Sequence, residues 1–590
     1  MTATRGRERL ARGWRSIVTA IAGTAVLAGL AVTPSVTQTL ASWTDAEWVS
    51  GGLGVLDCAD PAAGTFATRG AGTMVSGTAL GTDLDAIAEV EDAVVRNPGD
   101  LASPDDTTFS PLSVTALQAL QLAFGNALQL PLDSSTGVVG QYAQATSTGT
   151  MAGASGLISD TGAIVLDEPT DGYPELAELQ LSTLLDAPGI GLGSLLGDNV
   201  TDVTLSAGAV GARADLDACT AAFEGIAADT LQRTYLASDV DTTIESPAVG
   251  TLVSGVARVI DGLEGGVNGL ASNQSVLSGI TGGVSSLLGG LLGSLRLGTI
   301  SASVTATIDL SPVRTFVTQP FGDAGGVLTI DPVAGTVRIS TAALLDAAYP
   351  GQFSNGLNGL PPNTNLLGDP AILTALTAAL GGALDDWLAN VQALLTSALD
   401  AVQVNVTATV AVQLFLVLGW VDVATITANV NASLASLLAG GVTSQVDVRL
   451  LGSIQLGLLE PLVAALVNGF GGVVGTVVGA ALTPLAGLGS AVAALTQPVI
   501  AVVSGVYSAL FLGGIVSITM NTQNIPGTGE GPAEWRNLPE GQFDVSAIRI
   551  GVLDALGAQA IALHLGRASV GASCLASIAV GGDCPAPSTV

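Results

Sequence analysis

The chain has 590 residues and a formal net charge of −32, from 17 basic and 49 acidic side chains, with one histidine. Every basic residue is arginine, so Schiff-base chemistry and phosphate-gripping loops have no lysine to use. Zinc-protease ligand sets need more histidine than His564 supplies.

The acidity disfavours nucleic acid and anionic lipid as partners. Hydrophobic residues make up 48% and aromatics 4%, so cores must be built from Val, Leu, Ile and Ala.

The N-terminus reads as an export signal. Arg5, Arg7, Arg9, Arg12 and Arg15 precede an uncharged, mostly apolar run from Ser16 to Val32. The small residues of Thr39-Leu40-Ala41 then place cleavage between Ala41 and Ser42, with an uncleaved signal anchor as the alternative. The following Ser42-Trp43-Thr44-Asp45-Ala46-Glu47-Trp48 resembles the alternate signal-peptide class of Gram-positive exported proteins, some of which form extracellular matrix fibres. Four cysteines, Cys58, Cys219, Cys574 and Cys584, lack CxxC spacing and predict two disulfides. Of the three pairings, Cys58–Cys219 with Cys574–Cys584 is favoured, because the second pair closes a short loop.

From Cys58 to about Gly225 the text is polar and glycine-rich, broken by turns such as Asn97-Pro98-Gly99-Asp100, and predicts short strands and loops. The texture changes near Asp229. The domains expected are therefore a signal peptide (1–41), a β-rich N-terminal domain (42–228) and a strand/helix domain with C-terminal strands (229–590).

Ile300, Ala302, Val304, Ala306 and Ile308 alternate with Ser301, Ser303, Thr305 and Thr307, which predicts a strand with one buried and one hydroxyl-rich face. The segment from Val402 to Leu414 repeats the device, and Thr-Ala-Thr recurs at 305–307 and 407–409 as a hint of duplication. Leu328 to Ile339 predicts a hairpin about Asp331-Pro332-Val333-Ala334-Gly335.

Asp369 as N-cap and Pro370 at the first helical position open an apolar stripe running from Leu373 to Leu399. Leu252 to Leu295 predicts similar, glycine-richer helix. The uncharged stretch from Pro461 to Gly529 predicts buried helices, because Pro484 and Gln497-Pro498 break it and no basic flank follows; membrane insertion is the alternative. Near the C-terminus, Phe543, Val545 and Ala547 share one parity and Ile548, Ile550 and Val552 the other, and Ile561, Leu563 and Leu565 form a further apolar face.

No catalytic residue is expected. His564 points away from the Leu563/Leu565 face, and no GxSxG elbow accompanies it. Asp83/Asp85 with Glu89, Glu91 and Asp92 could pair carboxylates as a glycosidase does, but aromatic platforms are scarce. No cofactor is expected either. Calcium is the one candidate, at Asp83/Asp85, Asp105-Asp106 or Asp239/Asp241, yet none has EF-hand spacing and solvated loop carboxylates account for them. Ile525-Pro526-Gly527-Thr528-Gly529 looks like a sortase pentapeptide but reads as a Gly/Pro loop, and no anchor follows Cys584.

An ordered series of motifs runs through the chain: Gly81-Thr82-Asp83-Leu84-Asp85, Pro111-Leu112-Ser113-Val114-Thr115-Ala116-Leu117, Leu128-Gln129-Leu130-Pro131-Leu132 and Gly140-Gln141-Tyr142-Ala143-Gln144-Ala145. Gly153-Ala154-Ser155-Gly156, Ser159-Asp160-Thr161-Gly162-Ala163-Ile164, Ser246-Pro247-Ala248-Val249 and Arg567-Ala568-Ser569-Val570-Gly571 continue it. This order resembles the actinobacterial choice-of-anchor G surface proteins. The resemblance implies an exported envelope protein and supplies no catalytic residues.

The fold expected is α+β, mainly antiparallel sheet with apolar helical insertions, elongated or multi-domain. The function expected is structural or adhesive, in the cell wall or matrix, with wall components or further copies of the chain as partners and no membrane contact after cleavage. The alternatives are membrane insertion through residues 461–529 and a secreted polysaccharide hydrolase.

Overall fold

The computed structural model describes most residues from 64 to 579, together with Cys58 and Cys584. The longer stretches outside the description are 86–91, 100–104, 112–126, 130–138, 166–176, 452–458, 483–493, 526–530 and 555–559. The expected signal peptide, its Ala41/Ser42 cleavage point and most of the pentapeptide at 525–529 lie outside the described residues.

The fold is α+β and strand-rich, 34% helix and 40% strand, and among the described residues all pairing is antiparallel, in four sheets. The central sheet runs Thr364–Asn365, Val516–Gln523, Phe543–Val552, Ile561–Val570, Phe66–Ala79, Thr82–Asp83, with Ala93–Asn97 and Cys574–Leu575 also paired to Phe66–Ala79. A five-stranded sheet (Leu231–Ala237, Val210–Asp217, Thr150–Leu157, Val139–Ala145, Asp106–Pro111) packs on its lower half. A seven-stranded sheet runs from Phe321–Gly322 to Leu128–Gln129, and a four-stranded sheet has the order Leu295–Thr307, Gln403–Leu416, Gly419–Ser433, Gln445–Leu450.

The change of texture near residue 228 is a change along the chain rather than in space. Leu231–Ala237 pairs with Val210–Asp217, Val240–Glu245 with Asp202–Ala207, and Phe66–Ala79 with Ile561–Val570. Three of the four sheets therefore draw strands from both sides of that position.

Nor are the N-terminal strands uniformly short, since Phe66–Ala79 is 14 residues long. Its alternation is hidden because glycine and threonine occupy places where Val or Ile would announce a strand. The glycines have a cause. A Cβ on Gly70 would lie 2.1 Å from the Ala152 carbonyl oxygen, one on Gly72 2.0 Å from that of Ala154, and one on Gly153 2.1 Å from that of Ala71. The central and five-stranded sheets meet backbone to backbone, closer than the roughly 10 Å at which side-chain-bearing sheets usually stack.

The parity change expected at Ala547/Ile548 is present. Phe543 and Val545 belong to a core shared with the five-stranded sheet, whereas Ile548, Ile550 and Val552 belong to the main core. Gly566, at φ +62°, sits beside this switch on the neighbouring strand, and there too Leu563 and Leu565 give way to Ala568 and Val570.

The main core lies between the central and seven-stranded sheets and the helices Pro247–Gly269, Pro370–Ala401 and Thr496–Tyr507. The long helix starts where expected: the Asp369 carboxylate accepts the Ala371 N–H at 2.9 Å, and Leu376, Leu380, Leu384, Trp387, Val391 and Leu395 form its buried stripe. A second core lies under the four-stranded sheet, covered by Gln274–Gly289 and Glu460–Leu482. Those two helices dock through a glycine notch: a Cβ on Gly283 would lie 2.3 Å from Val473, and one on Gly279 3.0 Å from Val477.

Pro370–Ala401 and Glu460–Ala480 are long and apolar enough to cross a membrane by length and composition. In the fold each buries one stripe, which in the second is Leu462, Leu466, Phe470, Val474 and Val478, and turns small or polar residues such as Ala464, Asn468 and Thr476 outward.

Candidate functional site: an open polar face and a sealed ionic layer

The four-stranded sheet has one face on helices and one on solvent. Val404, Val406, Ala408, Val410 and Val412 point into the second core, and strict alternation sends Gln403, Asn405, Thr407 and Thr409 the other way. Register then builds rows across the sheet. Ser303, Thr407, Asn429 and Gln445 stand side by side, as do Ser301, Thr409, Thr427 and Asp447. Thr305, Asn405 and Asn431 form a third row. The Thr407 hydroxyl donates to the Asn429 amide oxygen at 2.8 Å.

With strands about 4.8 Å apart and same-face residues about 6.7 Å apart along each strand, this is a lattice of donors and acceptors in which Asp447 is the one charged member of the three rows. Such groups gain only about 0.5–1.5 kcal/mol per hydrogen bond, so the face can hold a partner through many contacts rather than one. Leu295–Thr307 forms one end of the sheet and has a single partner strand among the described residues.

The other concentration of polar side chains is sealed. It lies on the central-sheet face opposite the cores, under the segment that carries Glu534 and Trp535. His564 is fully buried, and its Nε2 lies 2.8 Å from Glu534 Oε1. Arg549 donates to the same carboxylate at 2.6 and 3.2 Å, and to Asp554 at 2.6 Å. Trp535 stacks on His564 at 4.3 Å, and the Arg567 guanidinium also lies over the indole, 5.2 Å from its centre. Arg567 also donates to the buried Asp544 at 2.9 Å.

Burial pushes His564 down to about 4, so the ring is neutral near pH 7 and donates Nε2–H to Glu534. Burial opposes ionisation of Glu534, but hydrogen bonds from His564 and Arg549 hold its carboxyl far below the usual range. His564 Nδ1 is buried with no hydrogen-bond partner among the described residues. A histidine under a stacked tryptophan has no route to a substrate proton, so this constellation positions strands and covering segment rather than performing acid–base chemistry. The sequence placed His564 on the right side of its strand. It gave no sign of Glu534, Arg549 or Trp535, which reach His564 from other segments.

The acidic pairs are also engaged. Asp241 pairs with Arg338 at 2.7 Å. Asp105 accepts the Ser147 N–H at 3.0 Å, and Asp85 accepts the Gly77 N–H at 3.1 Å. Asp85 also lies 3.6 Å from Arg567. Among the described residues no three His, Cys, Asp or Glu side chains gather as a metal site. Glu89 and Glu91 lie outside the description. A cavity of about 10 Å³ between the central and seven-stranded sheets, lined by Leu179, Leu205, Val240, Ile550 and Leu563, has room for one water at most.

Cys58 is bonded to Cys219 and Cys574 to Cys584, the pairing that loop length favoured. Two disulfides and no free cysteine among the described residues fit an oxidising compartment.

These features define a disulfide-stapled, strand-rich α+β protein with an open polar sheet face. Residues 70–571 match the family described as Domain of unknown function (DUF8394). The chain belongs to that family, which spans nearly all the described structure. Neither a curated protein nor a solved structure matches it.

Proposed function

We propose that this protein is an exported structural or adhesive component of the cell envelope or extracellular matrix, of the kind its resemblance to the choice-of-anchor G surface proteins implies. It works by surface contact with wall polymer or with further copies of itself, and does no chemistry of its own. The observation that carries the proposal is the open face of the four-stranded sheet, where neutral hydroxyls and amides stand in register over four strands. Hydrated polysaccharide presents the matching neutral donors and acceptors. The acidity of the chain, −32 overall, speaks against polyanionic partners. The two disulfides support a place outside the cytoplasm.

The test is co-sedimentation of the full chain with insoluble wall polysaccharide, alongside a Thr409→Glu/Thr427→Glu variant. The two substitutions put adjacent charges into one row of the face. The wild type should pellet with the polymer and the variant should lose about tenfold in affinity, with unchanged urea unfolding. Equal binding by both, or no binding by either, would remove the open face as the site of contact.

A further inference from the structure

The two long strands of the four-stranded sheet, Gln403–Leu416 and Gly419–Ser433, join in a hairpin whose end breaks the rule that governs its shaft. Along the shaft one face is apolar and the other polar. The last polar rung is Gln413 opposite Asp422, joined by a 2.8 Å hydrogen bond. Beyond it every side chain is apolar on both faces. Phe415 and Trp420 continue the polar face, and Leu414, Leu416 and Val421 continue the core face.

Leu414 is half-buried against the second core, but the described side chains beyond it are exposed. Leu418 at the turn is 101% exposed, Phe415 60%, Leu416 49%, Val421 47% and Trp420 41%. Leu450 and Leu451, beside Ala424 and Val423 on the next strand, extend the exposed patch.

A strand that is apolar on both faces belongs in an apolar medium on both sides. A groove or flat patch would ask for a protein partner of complementary shape, but this is a projecting tip with its most exposed residue at the apex. We infer that the hairpin end is a lipid-docking element, which inserts shallowly into an uncharged lipid surface.

Four observations specify that surface. From the Phe415/Trp420 pair to the apex is two to three residues, roughly 7–10 Å at strand rise, which matches the headgroup–acyl boundary and falls far short of a roughly 30 Å span. Trp420 and Phe415, 5.5 Å apart edge to face, stand at the level where an interfacial aromatic belt belongs. Arg296 lies over the Trp420 ring at 4.8 Å, one rung below, where its head can remain in water while its stem lies along the indole. The net charge of −32 excludes an anionic surface as the preferred target.

This assignment departs from the expectation of no membrane contact, and it places such contact away from the uncharged 461–529 region. It does not rest on polymer binding by the open face, so either can fail alone.

The experiment uses the full chain with vesicles of zwitterionic phosphatidylcholine, plain and brominated, and with vesicles containing anionic phosphatidylglycerol. Trp420→Phe preserves the apolar tip but removes its reporter, so the difference from wild type isolates quenching of Trp420. We expect brominated lipid to quench that increment, and Trp420→Phe to bind as tightly as wild type. Leu418→Asp should lose the increment and about tenfold in partitioning; Leu418 is fully exposed, so the fold should tolerate the change. Stronger binding to the anionic vesicles, no quenching of Trp420, or equal partitioning by Leu418→Asp would each overturn the inference. So would sedimentation showing a wild-type dimer that Leu418→Asp converts to monomer, which would give the tip to a second copy of the chain.

Discussion

The pair of sheets at the N-terminal strand and the four-stranded sheet with its helices solve the same packing problem in opposite ways. In the first, Gly70, Gly72 and Gly153 bring carbonyl oxygens of facing strands to where side chains would otherwise stand. In the second, Val404, Val406, Val410 and Val412 share one apolar core with Leu462, Leu466 and Phe470, built from branched and aromatic side chains. The first interface is specified by what is missing and tolerates no addition. The second is specified by apolar area and tolerates change wherever its helices face solvent. The first also carries the buried ionic layer on its far side, whereas among the described residues no buried ionisable side chain lies in the four-stranded sheet or its helices.

One substitution made in both regions gives the largest contrast. Gly153→Ala puts a methyl 2.1 Å from the Ala71 oxygen and 2.7 Å from that of Ser569, both backbone, and should cost roughly 4 kcal/mol or more. Gly472→Ala, in helix Glu460–Leu482 with nothing within 4 Å of the new methyl, should stabilise by up to about 1 kcal/mol. Urea midpoints of the two variants decide it; similar costs would mean the sheets do not meet as closely as described.

The staples should rank next. Cys58–Cys219 closes a separation of 161 residues and Cys574–Cys584 one of 10, so chain-entropy arguments assign about 5 and about 3 kcal/mol. Paired serine substitutions, C58S/C219S against C574S/C584S, measured without reductant, test the order. The reverse ranking would show that the long loop is already compact when unfolded.

The last is a pH dependence of the ionic layer, comparable to the shorter staple. The folded His564 pKa, about 4, lies below its ordinary 6.5, so the unfolded chain takes up the proton first as pH falls. Stability is complete above about pH 6.5 and declines by about 3 kcal/mol toward pH 4. Glu534, also depressed, adds to the loss below its ordinary carboxyl range. His564→Gln should flatten the profile of the unfolding midpoint between pH 4 and 6.5. A profile unchanged by that substitution would locate the acid sensitivity elsewhere.

What the sequence disclosed follows from what leaves a periodic trace. The helix capped by Asp369 and Pro370, the strand at 402–414, the Asp331–Gly335 hairpin and the parity change at Ala547/Ile548 all record local burial in the order of residues. Pairing across hundreds of residues records nothing locally. That is why Phe66–Ala79 read as short strands and loops, and why the partners of His564 stayed hidden. The polar face was legible strand by strand, in Ser301–Thr307 and Gln403–Thr409, but its rows needed the register. The apolar tip was visible as letters, from Phe415 to Val421, yet only the fold shows that Phe415, Leu416, Leu418, Trp420 and Val421 are left uncovered.

The strand order of the central sheet bears on timing. Gly70 pairs with Val570, so Phe66–Ala79 lacks one of its neighbours until nearly the whole chain is present. A chain delivered N-terminus first must hold that strand half-paired throughout its emergence. Glycine, alanine and threonine at most of its positions leave little apolar surface for stray association during the wait. The residues that let two sheets close tightly at the end are the same ones that keep the early strand inert at the beginning.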